Sequence, residues 1–242
     1  MLASAFYDDD ALFATYLAHR QQADNPPDAL ERPVFLDLVG SLVGLRILDL
    51  GCGVAAFGRT ALEQGCQSYV GVEASGNMVA AAQQTLAGST GVVIHTTIEA
   101  WTYPEAAFDL VVSRLALHYV ADFRAVCANV SRALAAHGRF IFSIEHPVLT
   151  CCARNWQTSP GSQDWIVDNY FESGLRKTVW LGGEVIRYHR TIEEYFGILQ
   201  QTGFVVECLR ESCPRHEWFA DQARYEQHTR IPLFLFFAAW KG

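Results

Sequence analysis

Strand-like and helix-like segments alternate along this chain from Leu45 onward, and the alternation predicts an α/β fold with a doubly wound, mostly parallel sheet. Two further observations support it. A glycine turn follows the first strand where a helix opens. Half of the 242 residues are apolar, enough for one large core.

The N-terminal stretch 11–42 has helical spacing, Leu12, Tyr16 and Leu17 followed by Leu30, Val34, Leu38 and Leu42. Asn25-Pro26-Pro27-Asp28 marks a turn between the two halves. Strands are expected at 46–50, 68–73, 91–95, 108–113 and 139–144, with helices at 55–64, 77–86 and 122–134 between them. Successive parallel strands joined by helices imply right-handed crossovers. After His146 the rhythm breaks. Residues 150–190 carry Trp156, Trp165, Tyr170, Phe171, Trp180 and Tyr188 and read as hairpins and loops over the carboxyl edge of the sheet. A helix at 191–202 and strands at 204–209 and 233–240 complete a set of seven strands. No helix is expected between the last two strands, which predicts an antiparallel seventh strand. The domain reading is one domain over 1–242, with an N-terminal helical lid (1–42) and an inserted substrate cap (150–190).

Composition narrows the function. The longest apolar run, 231–240, contains Pro232 and is half the about 20 residues a membrane helix needs. Asp8, Asp9 and Asp10 stand near the start without a basic residue, the opposite of a signal peptide, so the cytoplasm is the expected compartment. The seven cysteines form no C-x-x-C pair, which predicts reduced thiols rather than a disulfide framework or zinc knuckle. No Asp/Glu/His cluster suggests a catalytic metal. The net charge of −8, with 18 scattered basic residues, argues against a nucleic-acid partner and fits a small-molecule substrate.

The chemistry is carried by Ile47-Leu48-Asp49-Leu50-Gly51-Cys52-Gly53, a strand running into a glycine turn that opens a helix. Glycines let a ligand approach the backbone, and the helix start offers free N–H groups. Asp49, at the strand end, suits a cationic ligand group, and Glu73, ending the second strand, suits the two hydroxyls of a ribose. Gly51-x-Gly53-x-x-Ala56 also satisfies the looser dinucleotide fingerprint. Asp49 argues against that reading, because an acid beside the turn repels a pyrophosphate and attracts the sulfonium and ammonium of S-adenosylmethionine.

With these segments in place, Ile47–Gly53, Val70–Ser75, Phe108–Val120 and Phe140–Pro147, the chain resembles methyltransferase type 11 enzymes, a group related to the ubiquinone/menaquinone-biosynthesis methyltransferases. The similarity extends through Tyr188–Thr191 and Arg230–Lys241. It implies strand order 3-2-1-4-5-7-6 with S-adenosylmethionine lying across strands 1, 2 and 4. Carried over, Gly51 and Gly53 contact the methionine part, Glu73 the ribose, and Ala74 and Met78 the adenine surroundings. Cys52 and Ser113 fall within the matched segments and belong to the same set. Thr97 stands where this family commonly has an Asp near the adenine, a departure that leaves the backbone N–H of Ile98 to do the work. Tyr16 and Arg20 resemble N-terminal lid residues, with Arg20 placed to pair with the cofactor carboxylate.

Methyl transfer is an in-line displacement, and a base is needed only where the nucleophile must lose a proton. His118 and His146, after the fourth and fifth strands, are the candidate catalytic residues, with shaping of the loop or lining of the pocket as the alternatives. Tyr188 and His189 suit a substrate wall. Nucleic-acid amino-methyltransferases carry an Asn/Asp-Pro-Pro-aromatic segment where this chain has Ser113-Arg114-Leu115-Ala116. The function expected is S-adenosylmethionine-dependent methyl transfer to a small molecule. The alternatives are a non-catalytic binder of the same ligand and, third, a dinucleotide-dependent oxidoreductase.

Overall fold

The computed structural model describes residues 3–20, 27–152, 165–219 and 221–242. Its centre is β1 (Arg46–Leu50), an Ile/Leu-rich strand buried along most of its length, as a strand covered on both faces must be. Around it lie β2 (Ser68–Glu73), β3 (Val92–His95), β4 (Phe108–Arg114) and β5 (Leu134–Glu145), which with β1 form five mutually parallel strands. A hairpin of β6 (Gly174–Trp180) and β7 (Gly183–His189) forms a separate two-stranded sheet. The last strands, β8 (Phe204–Glu211) and β9 (Phe234–Lys241), return to the main sheet. Its order is β3-β2-β1-β4-β5-β9-β8, with β9 antiparallel to both neighbours. With the hairpin set aside, this is the expected order 3-2-1-4-5-7-6.

The side-chain period of two divides β1 between two cores. Leu48 and Leu50 face α6 (Phe123–Ala133) and α8 (Ile192–Gln201), where Val126, Val130, Tyr195 and Leu199 pack with Phe140 and Phe142. Ile47 faces α3 (Arg32–Val39), α4 (Ala56–Glu63) and α5 (Gly76–Thr85) through Phe35, Phe57, Ala61 and Ala82. Capping side chains begin three of these helices: Ser75 for α5, Asp122 for α6, and a Thr191–Glu194 capping box for α8.

Two expectations need correction. Helix α9 (Gln222–Thr229) and a 3-10 turn (His216–Trp218) do lie between β8 and β9. β9 is antiparallel all the same, because α9 buries no residue and so is no crossover packed across the sheet. The N-terminal stretch is also more divided than its spacing suggested. It contains α1 (Ala3–Tyr7), α2 (Asp10–Arg20) and a π-helical turn (Pro27–Glu31) that leads directly into α3. Of the expected turn, Asn25 and Pro26 lie outside the described residues, as does Trp156 of the expected cap. A short α7 (Pro147–Thr150) follows β5.

One buried ion pair holds the N-terminal segment to the sheet. Glu31 is fully buried, and Arg114, at the end of β4, donates to both of its oxygens, from Nε at 3.1 and 3.2 Å and also from Nη2. Ser143 Oγ on β5 donates to Glu31 Oε1 at 2.7 Å and accepts from the Leu115 N–H at 3.2 Å. The guanidinium also stacks 5.1 Å from the Phe35 ring. Removing one member leaves the other charge buried and unpaired, which costs about 3–5 kcal/mol. Glu31→Ala is expected to lower the free energy of urea unfolding by that amount. A loss under 1 kcal/mol in a folded variant would show that the pair does not secure α3.

Candidate active site

The turn after β1 is shaped by two left-handed glycines with different tasks. Gly51 has φ +72°, and a Cβ there would lie 2.4 Å from Ala116 Cβ, so its missing side chain lets the loop after β4 close on the turn. Gly53 has φ +54° and nothing within 4 Å of a Cβ position, so that side of the turn is open to a ligand. The Gly51 and Cys52 N–H groups donate to Val72 O at 2.8 and 3.1 Å, joining the turn to β2. Cys52 Sγ points under the turn, 2.7 Å from where a Gly71 Cβ would stand, and burial pushes its thiol up.

Glu73 ends β2 with its carboxylate folded into this turn. Oε2 accepts from Gly53 N at 2.9 Å, and Oε1 accepts from Ala74 N and Ser75 N at 2.8 and 3.0 Å. Burial pushes its carboxyl up while these three N–H groups pull it down. Three bonds leave part of a carboxylate's accepting capacity for a ligand hydroxyl. Met78 is buried in the first turn of α5, its N–H on the Ser75 cap. Thr97 is exposed and accepts from Ala100 N at 3.1 Å, forming the turn after β3. The Ile98 side chain lies against the Gly51 turn, and its carbonyl accepts from the Tyr103 hydroxyl at 2.9 Å.

Other expected site residues have structural partners. Asp49 shares the Ile47 side of β1, is 2 % exposed and accepts from the Tyr69 hydroxyl at 2.7 Å. Ser113 Oγ donates to Leu50 O at 2.7 Å, linking β4 to β1. Arg20 is ion-paired with Asp28 at 3.0 Å. His146 caps α7 through Nδ1, which accepts from Val148 N at 3.2 Å, and its Nε2 meets Glu211 Oε1 at 2.9 Å. Both ring nitrogens are thereby engaged away from a reaction, and burial lowers its pKa against the pull of Glu211. His189 is engaged in the same way, with Nε2 on Tyr170 O at 2.8 Å and Nδ1 on Thr150 Oγ1 at 2.7 Å.

His118 sits in the 3-10 turn Leu117–Tyr119 after β4, 1 % exposed. Its Nδ1 accepts from Glu145 N at 3.4 Å, which places the proton of the neutral ring on Nε2. Burial, then Arg187 and Arg190, hold its pKa well below the ordinary histidine value. This geometry shapes the loop and argues against a proton acceptor.

The roof of the site comes from the N-terminus and the hairpin. Asp8 Oδ1 accepts from Ser75 Oγ at 2.7 Å and Asn77 N at 3.3 Å, and Asn77 Nδ2 donates to Tyr7 O and Asp10 Oδ1, both at 3.1 Å. This fixes the α1–α2 corner over the start of α5. Phe6, Tyr7 and Tyr16 then gather on Trp180, with ring centroids 5.2, 6.4 and 6.0 Å away. Gly183 makes the fit possible, because a Cβ there would strike Phe6 and Leu12 at under 3 Å.

Beneath the roof, the half-buried Tyr7, Tyr119 and Glu145 gather around the buried Arg187, a polar group that the sequence reading did not assign. Tyr119 lies beside Tyr7 and Arg187, and burial raises the pKa of both phenols, so they stay neutral. Arg187 Nε lies 3.1 Å from Glu145 Oε2 without alignment for a hydrogen bond, and both atoms are otherwise unpartnered. Burial pushes the Glu145 carboxyl up against the effect of Arg187. One signal was available. Gly183, Val185, Arg187 and His189 share the buried face of β7, so the arginine stands at an apolar-inward position.

Comparison with known proteins agrees with this geometry. A methyltransferase-domain family model matches residues 48–142, from β1 to β5. A crystal structure of an S-adenosylmethionine-dependent methyltransferase from Mesorhizobium loti is 31 % identical, with TM-score 0.82, over 92 % of this chain and 100 % of the other. A candidate enzyme of the same kind from Listeria monocytogenes is 31 % identical, with TM-score 0.81, over 88 % of this chain and 97 % of the other. An uncharacterised protein from Haemophilus influenzae is 28 % identical over 97 % of this chain and 96 % of its own.

Burial pushes the Asp49 carboxyl up to about 6, with Tyr69 and then Arg114 opposing. The unfolded value is about 3.9, so the folded protein holds this proton more tightly than the unfolded chain. The stability Asp49 contributes is therefore present below about pH 4 and is lost as pH rises through about 6, on the order of 3 kcal/mol in all. Asp49→Asn is expected to gain stability relative to the parent over that window in urea unfolding. A difference that stays flat from pH 4 to 7 would remove Asp49 as a source of the pH dependence.

Proposed function

Because the chain belongs to the S-adenosylmethionine-dependent methyltransferases, we propose that it methylates a small molecule held between the carboxyl ends of β4 and β5 and the Trp180 roof. The observation that carries the acceptor class is the roof itself. Tyr7, Tyr16 and Trp180 pack on one another beside Glu73 and Tyr119, an aromatic cover that suits a small ligand largely removed from water. The charge of −8 adds to this by disfavouring a polyanionic substrate.

The residues present fit the cofactor. Gly53 leaves the turn open, and Glu73 presents a half-buried carboxylate at a strand end. We assign Gly53 to the methionine side, Glu73 to the ribose hydroxyls, and Ala74, Met78 and the Ile98 N–H to the adenine side. Gly51, Cys52, Ser113 and Asp49 shape the cradle from beneath, and Thr97 forms its outer turn. When bound, S-adenosylmethionine supplies a methyl group on a cationic sulfur. The chain orients the acceptor, excludes water and holds its own polar groups fixed. His118 and His146 serve as supports of the β4 and β5 loops.

The α1–α2 segment and the hairpin together act as the cover. Among the described residues no helix is long and apolar enough to cross a membrane. All seven cysteines are free thiols, which supports the reducing cytoplasm as the compartment.

Calorimetric titration with S-adenosylhomocysteine tests the reading. Glu73→Ala should weaken binding by about 1.5–3 kcal/mol, the worth of hydrogen bonds to a charged group. Unchanged affinity in a folded variant would take Glu73 out of the site. Amide exchange over 3–20 and 174–189 should slow on adding the same ligand, because the cover closes on it. Exchange in both segments indifferent to bound ligand would show a preformed, open pocket.

A further inference from the structure

We propose that the acceptor is a carboxylate, held by Arg187 and the Tyr119 hydroxyl, and that the product is its methyl ester. The inference rests on the methyltransferase reading above and concerns the acceptor half of the same site.

Three features of the roofed space point the same way. The first is a fixed cation. Arg187 is 2 % exposed, and its Nε is buried without a hydrogen-bond partner. Such an orphaned charged donor is costly unless a ligand completes it. Arg190 adds a second guanidinium nearby. Its Nη2 donates to Val120 O and Ala121 O at 2.7 and 2.6 Å, while its Nη1 is buried and unpartnered. The counter-charge facing Arg187 is Glu145, a side chain whose ionised form burial disfavours.

The second feature is a set of neutral donors. Tyr7 and Tyr119 lie beside Arg187, and burial keeps both phenols neutral, so each has an O–H to donate to a ligand. A guanidinium beside a neutral phenol is a site for an oxyanion.

The third feature is the lack of an imidazole base. His146 and His189 have both ring nitrogens engaged, and His118 has its acceptor nitrogen on a backbone N–H. An alcohol or ammonium acceptor must lose a proton, whereas a carboxylate arrives without one. The step then balances with no proton transfer. A carboxylate lone pair forms the new C–O bond, the methyl C–S bond breaks with its pair staying on sulfur, and a cation and an anion become two neutral molecules.

The test uses the full chain saturated with S-adenosylhomocysteine. Matched probes are titrated by calorimetry: acetate, propionate and benzoate; their amides acetamide, propionamide and benzamide; and the cations ethylammonium and benzylammonium. At least one carboxylate should bind, at least tenfold tighter than its amide and the cations. Arg187→Met should weaken that carboxylate about tenfold or more, and Tyr119→Phe severalfold, with S-adenosylhomocysteine affinity within twofold of the parent. The Tyr119 variant keeps the test valid where the Arg187 variant fails to fold. Equal binding of amides or cations, no carboxylate binding, or undiminished binding in the folded variants would each overturn the assignment. Loss of S-adenosylhomocysteine binding by the parent protein itself would strike the methyltransferase reading, a separate result.

Discussion

The carboxyl edge of this sheet is organised around a fully buried carboxylate. A carboxylate in an apolar interior is costly unless it is paired and hydrogen-bonded, and Arg114 and Ser143 supply the partners of Glu31 from β4 and β5. The pairing fixes where β4 ends. Leu115 takes a left-handed conformation at φ +52°, held by the Ser143 hydroxyl and carbonyl, and the loop turns back towards β1. Ala116 then meets Gly51, and Tyr119 reaches Arg187. The same guanidinium opposes the rise in the Asp49 pKa. A single buried ion pair thus sets the geometry of both halves of the site.

Those halves are built differently. The proposed cofactor side consists mostly of backbone, with the Gly51–Gly53 turn and the N–H groups that hold Glu73, and it belongs to two consecutive βα units. The proposed acceptor side consists of side chains drawn from α1, the turn after β4, the end of β5, and β7, which are scattered along the chain. Backbone cradles depend on local conformation. Side-chain chambers depend on how distant elements pack.

That difference explains what could be read in advance. The Gly51–Gly53 turn and the acid ending β2 were legible because strand, turn and acid follow one another at short range. The roles of the two glycines were not separable, since only the position of Ala116 shows that one serves packing and the other leaves space. His118 and His146 were singled out for their place after strands, which is right. Their ring nitrogens, however, are committed to Glu145 N, Val148 N and Glu211, contacts that no spacing rule predicts. Arg20 was read either as a cofactor partner or as a surface arginine, and it is ion-paired with Asp28, a contact that no spacing rule predicts. Helix α9 escaped notice because it lacks an apolar stripe, the signal by which helices are recognised.

The sequence by itself determined the doubly wound sheet and the glycine turn with Glu73, because periodicity and turn chemistry are local properties, while the order 3-2-1-4-5-7-6 came from the resemblance to a known family. Tertiary structure alone decided the rest. It placed Phe6 against Gly183 and Trp180, buried Glu31 against Arg114, and gathered Tyr7, Tyr119, Glu145 and Arg187 under one roof. In each case the partners lie tens of residues or more apart in the chain, and their charge states follow from burial, which no single segment carries in its own pattern.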